Sequence, residues 1–312
     1  MSAPEIKCNV IIDSCCDLPA EVIDVPGVEL LQFPYLMDDE DHLDDLFTTV
    51  TVHEFYEKMR KGSDCSTAQI PIMKINEAFE RAIESGAPTV YIGFTSGLSG
   101  NYGTIEMVRD RLLEEHPGAE FYTVDTRLAS IAEGLLVYEA IRQRAKGLTA
   151  TELVEWVNEA RFYVNEQFTL ESLEWLSKGG RIPPSVAFAG SKLDVKPMLD
   201  IALDGTLSLS GVARGRKKGI KQLAEYYRRH AEELGVGTHI VIGSADCPKD
   251  VERLKEELYK VDETVLFLET NIGPVIGSHV GPGMLAIAFM GQDAREDLSV
   301  SDRIAKKVRK KN

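Results

Sequence analysis

The chain has 312 residues, 44% of them hydrophobic and 27% charged, which is long and apolar enough for two α/β domains or one large one. Its 50 acids against 35 bases leave a net charge of −15, which argues against a nucleic-acid or anionic-membrane surface, since both need clustered cations. No apolar run approaches the ~20 residues that span a bilayer, and the N-terminus lacks the cationic start and apolar core of a signal peptide.

In the first half, short β-rich runs alternate with helical stretches. "KCNVIID" predicts a strand ending at Asp13, and "VELLQFPYLM" predicts a second from Val28 to Met37. Thr89–Thr95 and Ala119–Asp125 predict two more. The amphipathic segments between and after them mostly end in Gly, as helix C-termini prefer. Such alternation implies a parallel sheet with helices on its faces. Thr149 to Val164 opens with a T-x-x-E capping box, Thr149 to Glu152, and reads as a crossover helix.

The grammar then changes. Two β-prone runs flank Asp204-Gly205 between Lys196 and Arg214, a strong hairpin signal. A charged helix, the strand "HIVIGSA", a helix from about Pro248 and the strands "TVLFLETN" and "MLAIAFMG" follow. The expected architecture is α/β with two domains. Residues 1–163 form an N-terminal domain with a parallel sheet, 164–295 a C-terminal α+β domain with a mixed sheet, and 296–312 a basic tail. The acidic run Met37–Asp45 and the basic Ala305–Asn312 read as a solvated loop and a frayed terminus.

The five cysteines, Cys8, Cys15, Cys16, Cys65 and Cys247, make no C-x-x-C, and no histidine stands at metal-ligand spacing from them. A reduced, cytoplasmic protein with inert thiols and no metal is expected.

Ligands in open α/β sheets bind outside the carboxyl ends of the strands. Loops at or near such ends carry Ser14, Thr67, Ser96, Ser99 and Thr126, which are expected to converge on one crevice. For Ser14, Asp17 and Thr126, helix capping is the simpler role. "TSGLSGN" differs, because Gly97 and Gly100 let backbone approach a ligand and leave amides free at a helix start. A serine hydrolase using Ser96 or Ser99 with His279 is the competing reading. Gly97-Leu98-Ser99-Gly100-Asn101 misses the G-x-S-x-G nucleophile elbow, however, and no P-loop is present. His279 lies among Gly277, Gly281, Pro282 and Gly283, a setting that predicts a rigid turn aiming the imidazole. Lys178 and Arg181 flank a Gly-Gly corner, either as helix-terminal cations or as a basic lip beside an anionic ligand or a partner.

Taken together these loops resemble the DegV family. The resemblance rests on ordered motifs: D-S-x-x-D-L-P at Asp13–Pro19, T-x-Q at Thr67–Gln69, S-G-L-S-G-x-Y at Ser96–Tyr102 and L-x-x-L-x-x-G-G-R-I at Leu173–Ile182. K-P-x-L at Lys196–Leu199, Arg214 after the hairpin and G-x-H-x-G-P-G at Gly277–Gly283 complete the set. It implies a non-catalytic carrier that holds one long-chain fatty acid between its domains, with no other cofactor. A separate ATP-dependent fatty acid kinase subunit would phosphorylate the carboxylate, and the acyl-phosphate would feed phospholipid synthesis. The carboxylate ligands would be Thr67, Ser96 and His279, supported by Asp13, Ser14, Gln69, Gly97, Ser99, Gly100 and Gly283. Arg181 and Arg214 would face the kinase. Two departures stand out: "TAQIP" where T-S-Q-P-S is usual, which removes a hydroxyl at Ala68, and "GNY" for G-T-Y.

Physical chemistry fits that role. Burying a methylene contributes ~0.8 kcal/mol, so a chain of about 15 methylenes gives ~12 kcal/mol before ordering costs. The tail then supplies affinity while the hydroxyls of Thr67 and Ser96 orient the carboxylate, and His279, if protonated, adds a charge-assisted bond. Phe188, Leu193, Met198, Ile201, Ile287 and Phe289 are the candidate tunnel-lining side chains.

Overall fold

Strand and helix alternate from the start of the chain, as the sequence pattern predicts. The computed structural model describes residues 5–182 and 195–296. Phe188, Leu193 and the basic run from Ala305 lie outside the described residues. The first half begins with β1 (Asn9–Asp13), α1 (Ala20–Ile23), β2 (Val28–Leu31), β3 (Pro34–Met37), β4 (Glu40–Leu43), α2 (Val52–Arg60) and β5 (Cys65–Thr67). It continues with α3 (Ile72–Glu84), β6 (Thr89–Gly93), α4 (Asn101–Glu115), β7 (Phe121–Asp125), α5 (Ser130–Ala145) and α6 (Ala150–Ala160).

After α6 come β8 (Val164–Thr169), α7 (Glu174–Lys178), β9 (Val195–Ile201), β10 (Leu207–Arg214) and α8 (Arg216–His230). The chain closes with β11 (His239–Ser244), α9 (Pro248–Val261), β12 (Leu266–Asn271), α10 (Pro274–Val280) and β13 (Leu285–Met290).

β2-β1-β6-β7 form a four-stranded parallel sheet. From β1 the chain turns first to β2 on one side and later to β6 on the other, so a topological switch point lies beyond Asp13 and Gly93. A six-stranded sheet, β10-β9-β8-β13-β11-β12, is antiparallel except between β11 and β12. The molecule is therefore α/β with a parallel and a mixed sheet, as expected. The hairpin at Asp204-Gly205 forms with Gly205 at φ +85°, and Thr149 and Glu152 make the reciprocal capping box that starts α6.

One expectation fails locally. Val28–Met37 is two strands, not one: β2 stays in the parallel sheet, while β3 joins β4 and β5 in a small antiparallel sheet. The break falls before Pro34, which has no amide to donate to a ladder, and the Phe33 amide donates to Ser14 Oγ at 3.0 Å.

α5 explains how the halves join. Its residues from Ser130 to Val137 are all buried, because the helix packs against β8, β11 and β13 on one side and the turn after β1 on the other. The six-stranded sheet has two different faces. Ala286 and Ala288 of β13 turn toward the large core shared with the parallel sheet. Leu285, Ile287 and Phe289 turn to a second core beneath α8 and α9. The side-chain period of 2 dictates that split.

Candidate functional site

Beyond the carboxyl ends of β1 and β6, between the parallel sheet and the six-stranded sheet, lies a cavity of about 360 Å³. That is more than twice the ~150 Å³ of an apolar cavity able to hold a benzene ring. Its apolar wall includes Phe33, Phe94, Ile131, Phe168, Ile201 and Ala286. One end carries Thr67, Gln69, Ser99, Arg181 and His279. Ala68, Gln69 and Gly100 are exposed there, so this polar end meets the surface.

The polar end is built from distant pieces of chain. Thr67 ends β5, paired with Tyr35 in the small sheet. His279 sits in the last turn of α10, a helix where a rigid turn is expected; the turn follows it, at Gly281 with φ +75°. Thr67 Oγ1 and His279 Nε2 are hydrogen-bonded at 2.8 Å. His279 Nδ1 is buried and has no partner among the described residues. Gly179 makes room for the ring, since a Cβ on it would lie 2.2 Å from Nδ1. Arg181, half-buried, donates through Nη1 to the Gly179 carbonyl at 2.5 Å and lines the cavity beside the ring.

Burial, and then the nearby Arg181 charge, push the His279 imidazole down to about 4. At neutral pH the ring is uncharged, so the condition for a charge-assisted bond from His279, a protonated ring, is not met. Arg181 is the permanent cation among the described lining residues.

The remaining sequence-predicted residues separate into groups. Ser99 and Gly100 line the cavity, and Ser99 Oγ also accepts the Asn101 amide at 3.2 Å at the start of α4. Ser96, half-buried, is not among the lining residues; its amide donates to Asp125 Oδ1 at 3.2 Å. Gly97 serves a different close approach from the one expected, since a Cβ there would lie 2.4 Å from the Gly205 backbone at the β9–β10 tip. Asp13 braces the loops, accepting from Tyr91 Oη at 2.7 Å and from the Phe94 amide at 2.9 Å. Ser14 is buried under Phe33, and Thr126 donates to the Gly93 carbonyl at 2.9 Å. Gly283, φ +84°, turns the chain into β13 and is not itself among the lining residues. Arg214 is exposed at the end of β10, outside the cavity.

Of the candidate tunnel residues, Ile201 lines the cavity. Met198, Ile287 and Phe289 belong to the second core on the opposite face of the sheet. Their sequence neighbours hid this parity, because β13 is apolar at every position and offers no alternation to read.

Sequence reasoning also missed what holds α10 in place. Asp17 Oδ1 accepts the Gly273 amide at 2.9 Å, and Asp44 Oδ2 accepts the Val275 amide at 3.4 Å. Asp44, from the run expected to be solvated, is 0% exposed. Burial pushes the Asp44 carboxyl up to about 7 and Asp13 up to about 6, and raises Asp17 and Glu133 as well.

Fold and cavity define an α/β protein with a mostly apolar chamber between its two larger sheets and a polar end to that chamber. The family model described as "Uncharacterised protein, DegV family" matches residues 7–292, and the chain belongs to that family. It is 36% identical over 293 residues to a DegV domain-containing protein of Clostridium perfringens, covering 93% of this chain and 99% of that one. Among solved structures, a fatty-acid-binding DegV family protein of Thermus thermophilus superposes with TM-score 0.81 at 25% identity, over 92% of this chain and 100% of the other. The fatty acid kinase B3 protein of Streptococcus pneumoniae, loaded with linoleic acid, shares the fold with TM-score 0.80 at 20% identity, over 92% of this chain and 100% of that one. Among the described residues no helix is long and apolar enough to cross a membrane, and no group of three His, Cys, Asp or Glu could hold a metal ion.

Proposed function

We propose that the chain holds one long-chain fatty acid, tail inward, and offers its carboxylate at the Thr67–His279 end to an ATP-dependent fatty acid kinase subunit. The observation that carries this is the cavity itself: walled mostly by apolar side chains, with a hydroxyl, an imidazole and a guanidinium gathered where it meets the surface. The names of the related structures, which bind fatty acids, point the same way.

In this reading the tail supplies most of the affinity, by leaving water for the apolar wall. The Thr67 hydroxyl and the His279 ring fix the carboxylate, and the Arg181 charge offsets its desolvation. Ser99 stands nearer this role than Ser96. Arg181 and the exposed Arg214 face the kinase, which transfers a phosphoryl group from ATP to a carboxylate oxygen, giving acyl-phosphate and ADP. No residue of this chain performs that transfer.

The hydrolase alternative lacks supporting geometry. His279 Nε2 bonds Thr67 rather than a serine, and no described carboxylate receives Nδ1.

Native mass spectrometry of the purified chain is expected to show one co-purified, intact fatty acid. A chain with no lipid, and no uptake of added oleate, would sink the carrier reading. Serine labelling by a fluorophosphonate probe would revive the hydrolase. Arg181→Ala is expected to keep the lipid while slowing its phosphorylation by the kinase.

A further inference from the structure

The cavity wall contains one carboxyl group among the described residues, and it stands far from the polar end. Glu166 is the third residue of β8, and its side chain points to the same side as those of Val164, Phe168 and Leu170, all members of the large apolar core. The strand's alternation reserves this position for an apolar residue. Glu166 is instead 7% exposed, lines the cavity, and its Oε1 has no hydrogen-bond partner among the described residues.

Strand register locates the group. β8 pairs with β13 so that Thr169 faces Leu285, Phe168 faces Ala286 and Glu166 faces Ala288. His279 lies just before the start of β13, so the polar end of the cavity is at the Thr169–Leu285 level. Glu166 is three residues from Thr169, roughly 10 Å along β8 at the rise of an extended strand. The residue opposite is the small Ala288, while Ile201 and Phe168, which also line the cavity, are its neighbours on the sheet.

Among the described residues no cation offsets this carboxyl. Burial, and then the neighbouring Asp200 charge, both raise its proton affinity, which favours the neutral acid. A neutral acid presents one O–H donor and one carbonyl acceptor. A hydroxyl, which donates and accepts at once, matches both. An unbranched methylene chain matches neither and leaves the group's desolvation uncompensated.

We propose that Glu166 reads a hydroxyl carried part-way down the acyl chain, so that the preferred cargo is a hydroxy fatty acid rather than a plain saturated one. The proposal rests on the carrier reading above and names the ligand class of that same site. A site built to hydrogen-bond a hydroxyl rejects the analogue lacking it, because the buried polar group is then left bare.

The test is displacement of a fluorescent fatty acid from the full chain by stearate, 10-hydroxystearate and 12-hydroxystearate. The parent is expected to bind one hydroxystearate at least about 10-fold tighter than stearate. Glu166→Leu should bring the two within about 3-fold, chiefly by improving stearate, while Glu166→Gln keeps most of the preference. Equal or tighter binding of stearate by the parent would overturn the proposal and leave the carrier reading standing. A hydroxyl preference that survives Glu166→Leu would also overturn it. Failure of all three lipids to displace the probe would remove the carrier reading with it. Should Glu166→Leu not fold, the parent's ranking and the Glu166→Gln ranking still decide.

Discussion

The two faces of the six-stranded sheet are made from the same strands and do opposite work. Under α8 and α9, Ile287, Phe289 and Met198 interlock with Ile220, Leu223 and Tyr227 in a filled core. On the other face the same β13 offers Ala286 and Ala288 before the partly buried Met290, and the cavity opens at Ala286. A cavity in a protein interior normally costs stability, because its lining loses contacts. Here large side chains on one face compensate for small ones on the other. Size alternation along a single strand, rather than polarity, separates the structural face from the binding face.

That contrast can be broken from either side. The largest effect is expected on the filled face. Phe289→Ala should lower stability by about 3–5 kcal/mol, read by denaturant titration, with lipid stoichiometry unchanged in the folded fraction. Loss of lipid at full occupancy of the fold would mean the faces are not independent. Ala286→Phe should do the reverse: it fills the open face, cuts oleate binding sharply and shifts stability by at most about 1–3 kcal/mol. Undiminished oleate binding would place the ligand elsewhere.

A smaller effect sharpens the comparison through α10, the helix that brings His279 to the open face. Its Asp44 cap has a carboxyl at about 7 in the folded chain, above the ordinary 3.8. The folded state therefore keeps a proton that the unfolded chain loses above about pH 4. Stability from this group is fully present below that point and falls as pH rises from 4 through 7. Melting temperature is expected to drop between pH 5 and pH 7.5, and Asp44→Asn should reduce that drop. An identical pH profile for the variant would show that Asp44 ionises freely in the fold. The smallest change is Thr67→Val, which removes one hydroxyl at the polar end and should weaken oleate binding by about 1 kcal/mol, roughly fivefold, by calorimetry.

Local chemistry was legible in the sequence wherever a residue's role is set by its neighbours in the chain. The Asp204-Gly205 hairpin and the Thr149–Glu152 cap are of that kind, and both form where expected. So is the cluster of polar loops at strand ends, although only Thr67, Gln69, Ser99 and Gly100 from those loops line the cavity among the site residues named from sequence. What stayed hidden depends on partners far away in sequence. Thr67 and His279 lie 212 positions apart, and the family resemblance, rather than pattern, brought them together. Asp44 looked solvated because nothing in its own run signals that an amide 231 positions later needs it. Glu166 gave no signal either, since a lone acid in a strand is ordinarily turned to water.

The carboxylates that receive the first amides of α10 come from the opposite half of the chain. A cut placed between α6 and β8 would separate Asp17 and Asp44 from Gly273 and Val275. The amino-terminal fragment would then keep buried acids with only their local donors, Ser130 and Leu46, and the carboxyl-terminal fragment a short helix with bare amides at its start. Cooperativity should therefore treat the molecule as one, with a single melting transition shared by its sheets.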